Sequence, residues 1–291
     1  MSAMVNRGTP LSTTLRGGPL PERTPFGKEQ PDMIGAMGNK RAVALLLAAA
    51  TAALVVALAG LASEPARAAS DVLPDLGMAH PKGLQIEKTS DGRKLLRFSS
   101  IVVNVGAGPF EVHGERAAGT SVDMATQQRV FDSTGVHRDV PTDAIMYFGG
   151  DGHNHWHVRD LEDFELTRVD NGKLVGTGAK HGFCFFDNYR YGSSDPAFYT
   201  RSSGSCGGGT SATQTKMGLS VGWGDIYGRT LPDQYIDVTG LTSGRYRLTA
   251  TADADGWFLE SNNSNNFAWV NIKISGDSVS VVRYGPAAQP I

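Results

Sequence analysis

His153, His155 and His157 stand at alternate positions in the run Asp151-Gly152-His153-Asn154-His155-Trp156-His157. In an extended strand successive side chains point to opposite faces, so residues i, i+2 and i+4 share one face. Successive members of such a set lie roughly 6–7 Å apart along the strand. With some twist, three imidazoles can converge on one ion at the metal–nitrogen contact of about 2.0–2.1 Å. Imidazole suits copper, zinc, iron and nickel, so the donor type narrows the metal without fixing it. The alternative is a histidine-rich surface loop; strict alternation beside Gly152 and Trp156 favours the metal.

The rest of the chain reads as β structure. Glycine is abundant, at 36 of 291 residues, and no long helical pattern dominates, which points to a turn-rich β protein. Residues 94–104 form a strong strand candidate and Phe110-Glu111-Val112 starts another. Residues 114–144 carry few apolar positions and are expected to be hairpins and loops, ahead of a short apolar strand, Ile145-Met146-Tyr147-Phe148. Phe164-Glu165-Leu166 alternates, Asp170-Asn171-Gly172-Lys173 is a tight-turn signal, and Phe183-Cys184-Phe185-Phe186 is a further apolar strand. A long polar loop follows as far as Lys216. Residues 245–252, the alternating set Ala268, Val270, Ile272 and Ile274, and residues 279–284 complete the pattern. The expected fold class is all-β, an antiparallel β-sandwich core with long loops and few short helices. Charge is balanced, 27 basic against 29 acidic residues for a net of −2, which argues against a nucleic-acid-binding surface.

Residues 1–36 are rich in Pro, Gly, Thr and Arg and read as a disordered extension; Met37 is the better initiator, which would make this piece a misassigned start. Residues 37–68 read as a signal peptide: Lys40 and Arg41, an apolar run over 42–62, and Ala66-Arg67-Ala68 as the cleavage site. The run is also long enough to be an uncleaved anchor. Residues 69–291 are then one secreted domain. Its two cysteines, Cys184 and Cys206, are expected to pair in an oxidising compartment, whereas in a reducing one they would stay free thiols. Closing a loop of that size stabilises by roughly 3 kcal/mol in the chain-entropy model.

Several short motifs occur in one order: Leu73-Pro74-Asp75-Leu76, Leu95-Leu96-Arg97-Phe98-Ser99-Ser100, the histidine triplet, Lys180-His181-Gly182-Phe183-Cys184, Asp225-Ile226-Tyr227-Gly228, and Gln234-Tyr235-Ile236-Asp237-Val238. In that order the chain resembles the catalytic domain of the lysyl oxidase family over roughly residues 73–274. The resemblance implies a copper amine oxidase that converts primary amines, or lysine side chains of extracellular proteins, to aldehydes with dioxygen, releasing ammonia and hydrogen peroxide. Copper would be held by His153, His155 and His157. The organic cofactor, lysyl tyrosylquinone, would be made from Lys180 and Tyr227. A general base is needed; Asp225 is read as the strand neighbour of Tyr227 and hence as facing away from it, and is left unassigned.

The resemblance also implies a calcium site, from Asp75, the Leu76 carbonyl, Glu260, Asn262, Asn265 and Asn266, an oxygen-rich set suited to a hard cation. Asn262 stands where the family has an aspartate, and the alternative is an Asx-turn loop without an ion. Animal members have several disulfides and this chain has cysteines for one only. The competing reading is a non-enzymatic secreted metal-binding β-sandwich, which has no use for Lys180 paired with Tyr227. A zinc hydrolase is disfavoured because neither His-x-x-Glu-His nor His-Glu-x-x-His occurs.

Overall fold

The computed structural model describes residues 69–118, 123–149 and 154–291. The extension, the leader and His153 lie outside the described residues. Three antiparallel sheets enclose a large hydrophobic core beside a small second cluster around Ile101 and Val103, and no helix occurs among the described residues, where a few short ones were expected.

The first sheet orders its strands Gly182–Phe183, Trp156–Arg159, His137–Phe148, Met124–Asp132, Phe110–Glu115 and Gln214–Leu219, with Asp71–Val72 added to Met124–Asp132. The second runs Leu174–Thr177, Glu162–Arg168, Gly244–Ala252, Phe267–Ser275 and Ser278–Tyr284. In the third, Lys94–Asn104 is the hub, joined by Trp223–Tyr227, Tyr235–Asp237, Leu76–Met78 and Lys82–Lys88. Tyr189–Arg190 extends it beyond Trp223–Tyr227.

Alternation explains the second sheet. Tyr246, Leu248, Ala250 and Ala252 are buried along one strand, and Ala268, Val270, Ile272 and Ile274 along its partner. Lys94–Asn104 is instead buried nearly throughout its second half, as a strand covered on both faces must be. The region 114–144, expected as hairpins and loops, contains one long hairpin, in which Met124–Asp132 pairs with His137–Phe148. Its inward positions include buried Thr126 and Gln128, so half of the core-facing stripe is polar and invisible to a hydrophobic pattern. Gln128 is satisfied there by the backbone of Leu259, donating through Nε2 and accepting at Oε1. The apolar run 183–186 is strand only at Gly182–Phe183; Cys184 turns away to bond with Cys206.

The chain leaves Trp156–Arg159 for Glu162–Arg168 through Asp160, which adopts a left-handed φ of 52°, a conformation Asp tolerates better than most residues. This single crossover carries it from the first sheet into the second and brings the segment around residue 180 against both.

Candidate active site

His155 and His157 flank the buried Trp156. Its indole Nε1 donates to the Gly209 carbonyl (3.3 Å), and its ring meets Phe148 edge-on. Alternation therefore puts the two imidazoles on the other face, with ring centroids 4.3 Å apart. The His157 ring also lies 5.6 Å from that of Tyr147, its register partner. Among the described residues no group of three or more His, Cys, Asp or Glu side chains is arranged to hold a metal; the third histidine of the triplet is not among them.

Lys180 is pinned by its backbone surroundings. Gly178 and Ala179 N–H groups donate to the carbonyls of Phe164 and Tyr235, and Asp160 N–H donates to the His181 carbonyl. Gly182 then enters the first sheet opposite Arg159. Only glycine fits: a Cβ there would sit 2.1 Å from the Tyr147 hydroxyl oxygen and 3.2 Å from His157 Cγ. Lys180 is 8 % exposed. Its Nζ lies 5.0 Å from the centroid of the Tyr227 ring and 5.1 Å from that of Phe183.

Tyr227 ends the strand Trp223–Tyr227, opposite Ser100 on Lys94–Asn104. Phe183 packs on it edge-to-face at 5.2 Å. Burial, reinforced by the negative fields of Asp225 and Glu162, pushes the phenol well above its ordinary range, so it stays protonated at neutral pH. Lys180 and Tyr227 face a cleft of about 170 Å³, lined also by His155, His157, Asp225 and Arg201. The Cys184–Cys206 disulfide, with Cα atoms 5.7 Å apart, closes one wall, and the expected pairing is the one found.

Asp225 requires a correction. It is two residues from Tyr227, not its neighbour, so the two share a strand face, and both line the cleft. Burial pushes its carboxyl up to about 7, against the pull of Tyr227, Asn188, the Phe186 N–H and Lys180. Sequence reasoning also missed Glu162, which is fully buried. Burial raises it to about 8, Asp225 adding to the shift while Ser100 and Lys180 oppose it. A signal existed: Glu162 is in phase with Phe164 and Leu166, so the alternation read at 164–166 extends one step back to an inward carboxyl.

A sequence model of the family described as lysyl oxidase matches residues 141–284, which include the histidine triplet, Lys180 and Tyr227. Over that stretch the chain is similar to the lysyl oxidase family. It is 31% identical over 125 residues to the protein-lysine 6-oxidase of Gallus gallus, a match covering 43% of this chain and 27% of that one. It is 33% identical over 129 residues to lysyl oxidase homolog 1 of Homo sapiens, covering 44% and 20%. To the human protein-lysine 6-oxidase it is 30% identical over 125 residues, covering 43% and 27%. The matched stretch thus spans between a fifth and about a quarter of these relatives' length.

A second polar cluster lies away from the cleft. Asn265 Nδ2 donates to Asp75 Oδ1 (2.9 Å) and Asn266 Nδ2 to Glu260 Oε1 (2.8 Å). Leu76 meets Glu260 through its N–H rather than its carbonyl. Asn262 does not join: its Oδ1 accepts from the N–H and hydroxyl of Ser264 in an Asx-type turn. Buried Oδ1 atoms of Asn265 and Asn266 have no donor. Burial raises Glu260 to about 8, against bonds from Leu76 and Asn266. Oxygens left in this condition suit a hard cation.

Proposed function

We propose that the chain is a secreted, copper-dependent amine oxidase that deaminates primary amines or peptidyl lysine to aldehydes, with dioxygen as the acceptor. His153, His155 and His157 would hold the copper, and Lys180 and Tyr227 would supply a lysyl tyrosylquinone. One observation carries this reading: residues 47 apart in sequence meet with Lys180 Nζ 5.0 Å from the Tyr227 ring centroid. An amine that close to the ring face fits the bond the cofactor requires. Such a quinone would supply a carbonyl for the substrate amine and a two-electron sink that dioxygen could empty.

The chain's own residues do the positioning. Phe183 edges the Tyr227 ring on one side, and the strand register with Ser100 fixes its base. The anchored backbone at residues 178–182 holds the lysine without a flexible loop. Burial of both side chains keeps bulk water from the reacting centre. Further calcium, at Asp75, Glu260, Asn265 and Asn266, would have a structural role.

Mass spectrometry of copper-loaded, air-matured protein tests the reading. A Lys180–Tyr227 crosslinked peptide and a chromophore reactive with phenylhydrazine are expected, together with peroxide release from a primary amine. Lys180→Ala and Tyr227→Phe should abolish all three. Unmodified peptides carrying each residue, from a fully metal-loaded sample, would overturn it.

A further inference from the structure

We propose that Asp225 is the catalytic base of this site, its Oδ2 taking the proton from the carbon that bears the substrate amine, and that Asn188 is the residue that positions it. The proposal rests on the amine oxidase reading above and names the group that reading leaves open.

Asp225 lines the same cleft as Lys180 and Tyr227 and projects from the face that carries the Tyr227 ring. Its two oxygens are treated differently. Oδ1 accepts from Asn188 Nδ2. That amide cannot swing round, because Asn188 Oδ1 accepts from the Ile226 N–H at 2.8 Å and Asn188 N–H donates to the Gly224 carbonyl. Oδ2 is buried and meets no donor at strict hydrogen-bond geometry, although the Tyr227 hydroxyl and the Phe186 N–H lie near enough to pull on the carboxyl. One oxygen is therefore anchored to the backbone of its own strand, and the other is left to react.

A carboxylate kept for structure looks different, and this fold provides the comparison. Asp187, next to Asn188, is also buried. Its Oδ2 accepts from the N–H groups of Phe198 and Tyr199 and from the Ser220 hydroxyl, and its Oδ1 from the Ser220 N–H. Asp187 is saturated and holds a loop; Asp225 is half-satisfied and faces the cleft. Glu162 is the other buried carboxyl nearby, but it does not line the cleft. With its carboxyl raised to about 7 by burial, Asp225 exchanges protons near neutral pH, as a general base must.

In the step, the C–H bond on the amine-bearing carbon breaks, its proton goes to Asp225 Oδ2, and its electron pair enters the oxidised cofactor. Dioxygen, the acceptor in the proposed activity, removes the two electrons as hydrogen peroxide.

The test compares the copper-loaded, air-matured full chain with its Asp225→Asn and Asn188→Ala variants, using benzylamine and its α,α-dideuterated form. Asp225→Asn should still yield the crosslinked peptide and the phenylhydrazine adduct while turnover falls roughly 10²–10⁴-fold. Asn188→Ala, which keeps the carboxylate but frees it, should lose less and show a larger deuterium isotope effect. A crosslinked Asp225→Asn turning over at the wild-type rate overturns the proposal alone. Wild-type protein without the crosslink overturns the amine oxidase reading and this inference with it. If Asp225→Asn lacks the crosslink, Asn188→Ala decides: an unchanged rate and isotope effect refute the assignment, and a slower rate with a larger effect supports it.

Discussion

Glu162 and Asp225 bring two carboxyls into a buried space whose nearby cation is Lys180. Burial favours the neutral acid, so the folded chain holds protons at these sites that the unfolded chain gives up near its ordinary carboxylate range. The unfolded state then binds fewer protons between about pH 4 and 8, and stability falls as pH rises through that window. It levels off above the raised values of about 8 for Glu162 and about 7 for Asp225. Glu111 works the other way: burial opposes its ionisation, yet bonds from His113 and Tyr199 and the charge of Arg129 outweigh it and hold the carboxyl low. Its contribution is present above the ordinary range and is lost as pH falls. Urea midpoints of metal-free, uncrosslinked protein should therefore decline between about pH 5 and 8, and Glu162→Gln should flatten the decline. An identical slope in that variant would mean that Glu162 is ionised in the folded state.

Among the elements, the short Gly182–Phe183 strand does most to assemble the site. It runs beside Trp156–Arg159, so Lys180, two residues ahead of the first of these strands, and His157 on the second are brought to one cleft. Its glycine is a condition of that approach. Gly182→Ala forces a methyl group into the Tyr147 hydroxyl and should cost about 1–3 kcal/mol, the usual range for overpacking. Chemical denaturation would measure the loss, and Tyr147→Phe in the same chain should recover part of it by removing the clashing oxygen. Full stability in the single variant would mean that the strand can move aside. The long hairpin Met124–Asp132 with His137–Phe148 carries a different lesson. Its inward Thr126 and Gln128 break the hydrophobic alternation, so a strand read from apolar pattern alone disappears. Glu162 escaped notice for the same reason, being a polar residue at a core-facing position.

For the whole molecule, one large core and a small second one join three sheets, and two polar clusters lie at separate points. The cluster of Asp75, Glu260, Asn265 and Asn266 ties the segment before Leu76–Met78 to the loop before Phe267–Ser275, aided by Ser261 N–H donating to the Pro74 carbonyl. A cation bound there should stabilise the fold by about 2.7 kcal/mol when present at 100 times its dissociation constant. Calcium added to chelator-treated protein should raise the melting temperature, and Glu260→Gln should remove the effect. Equal melting temperatures with and without calcium in the wild type would identify the loop as an Asx turn that needs no ion, the arrangement Asn262 already adopts.

The linear order of residues was enough to specify what repeats at short range. Alternation marked the inward faces of Gly244–Ala252 and Phe267–Ser275 and put His155 and His157 on one side of a strand. The motif order pointed to the lysyl oxidase family and to Lys180 and Tyr227. Tertiary structure alone decided that those two side chains meet, that Asp225 lines their cleft, and that Glu162 is fully buried. The physical reason is the range of the forces involved. Side-chain direction follows from local backbone geometry, whereas burial, and with it the charge state of a carboxyl, depends on which distant strands close over it.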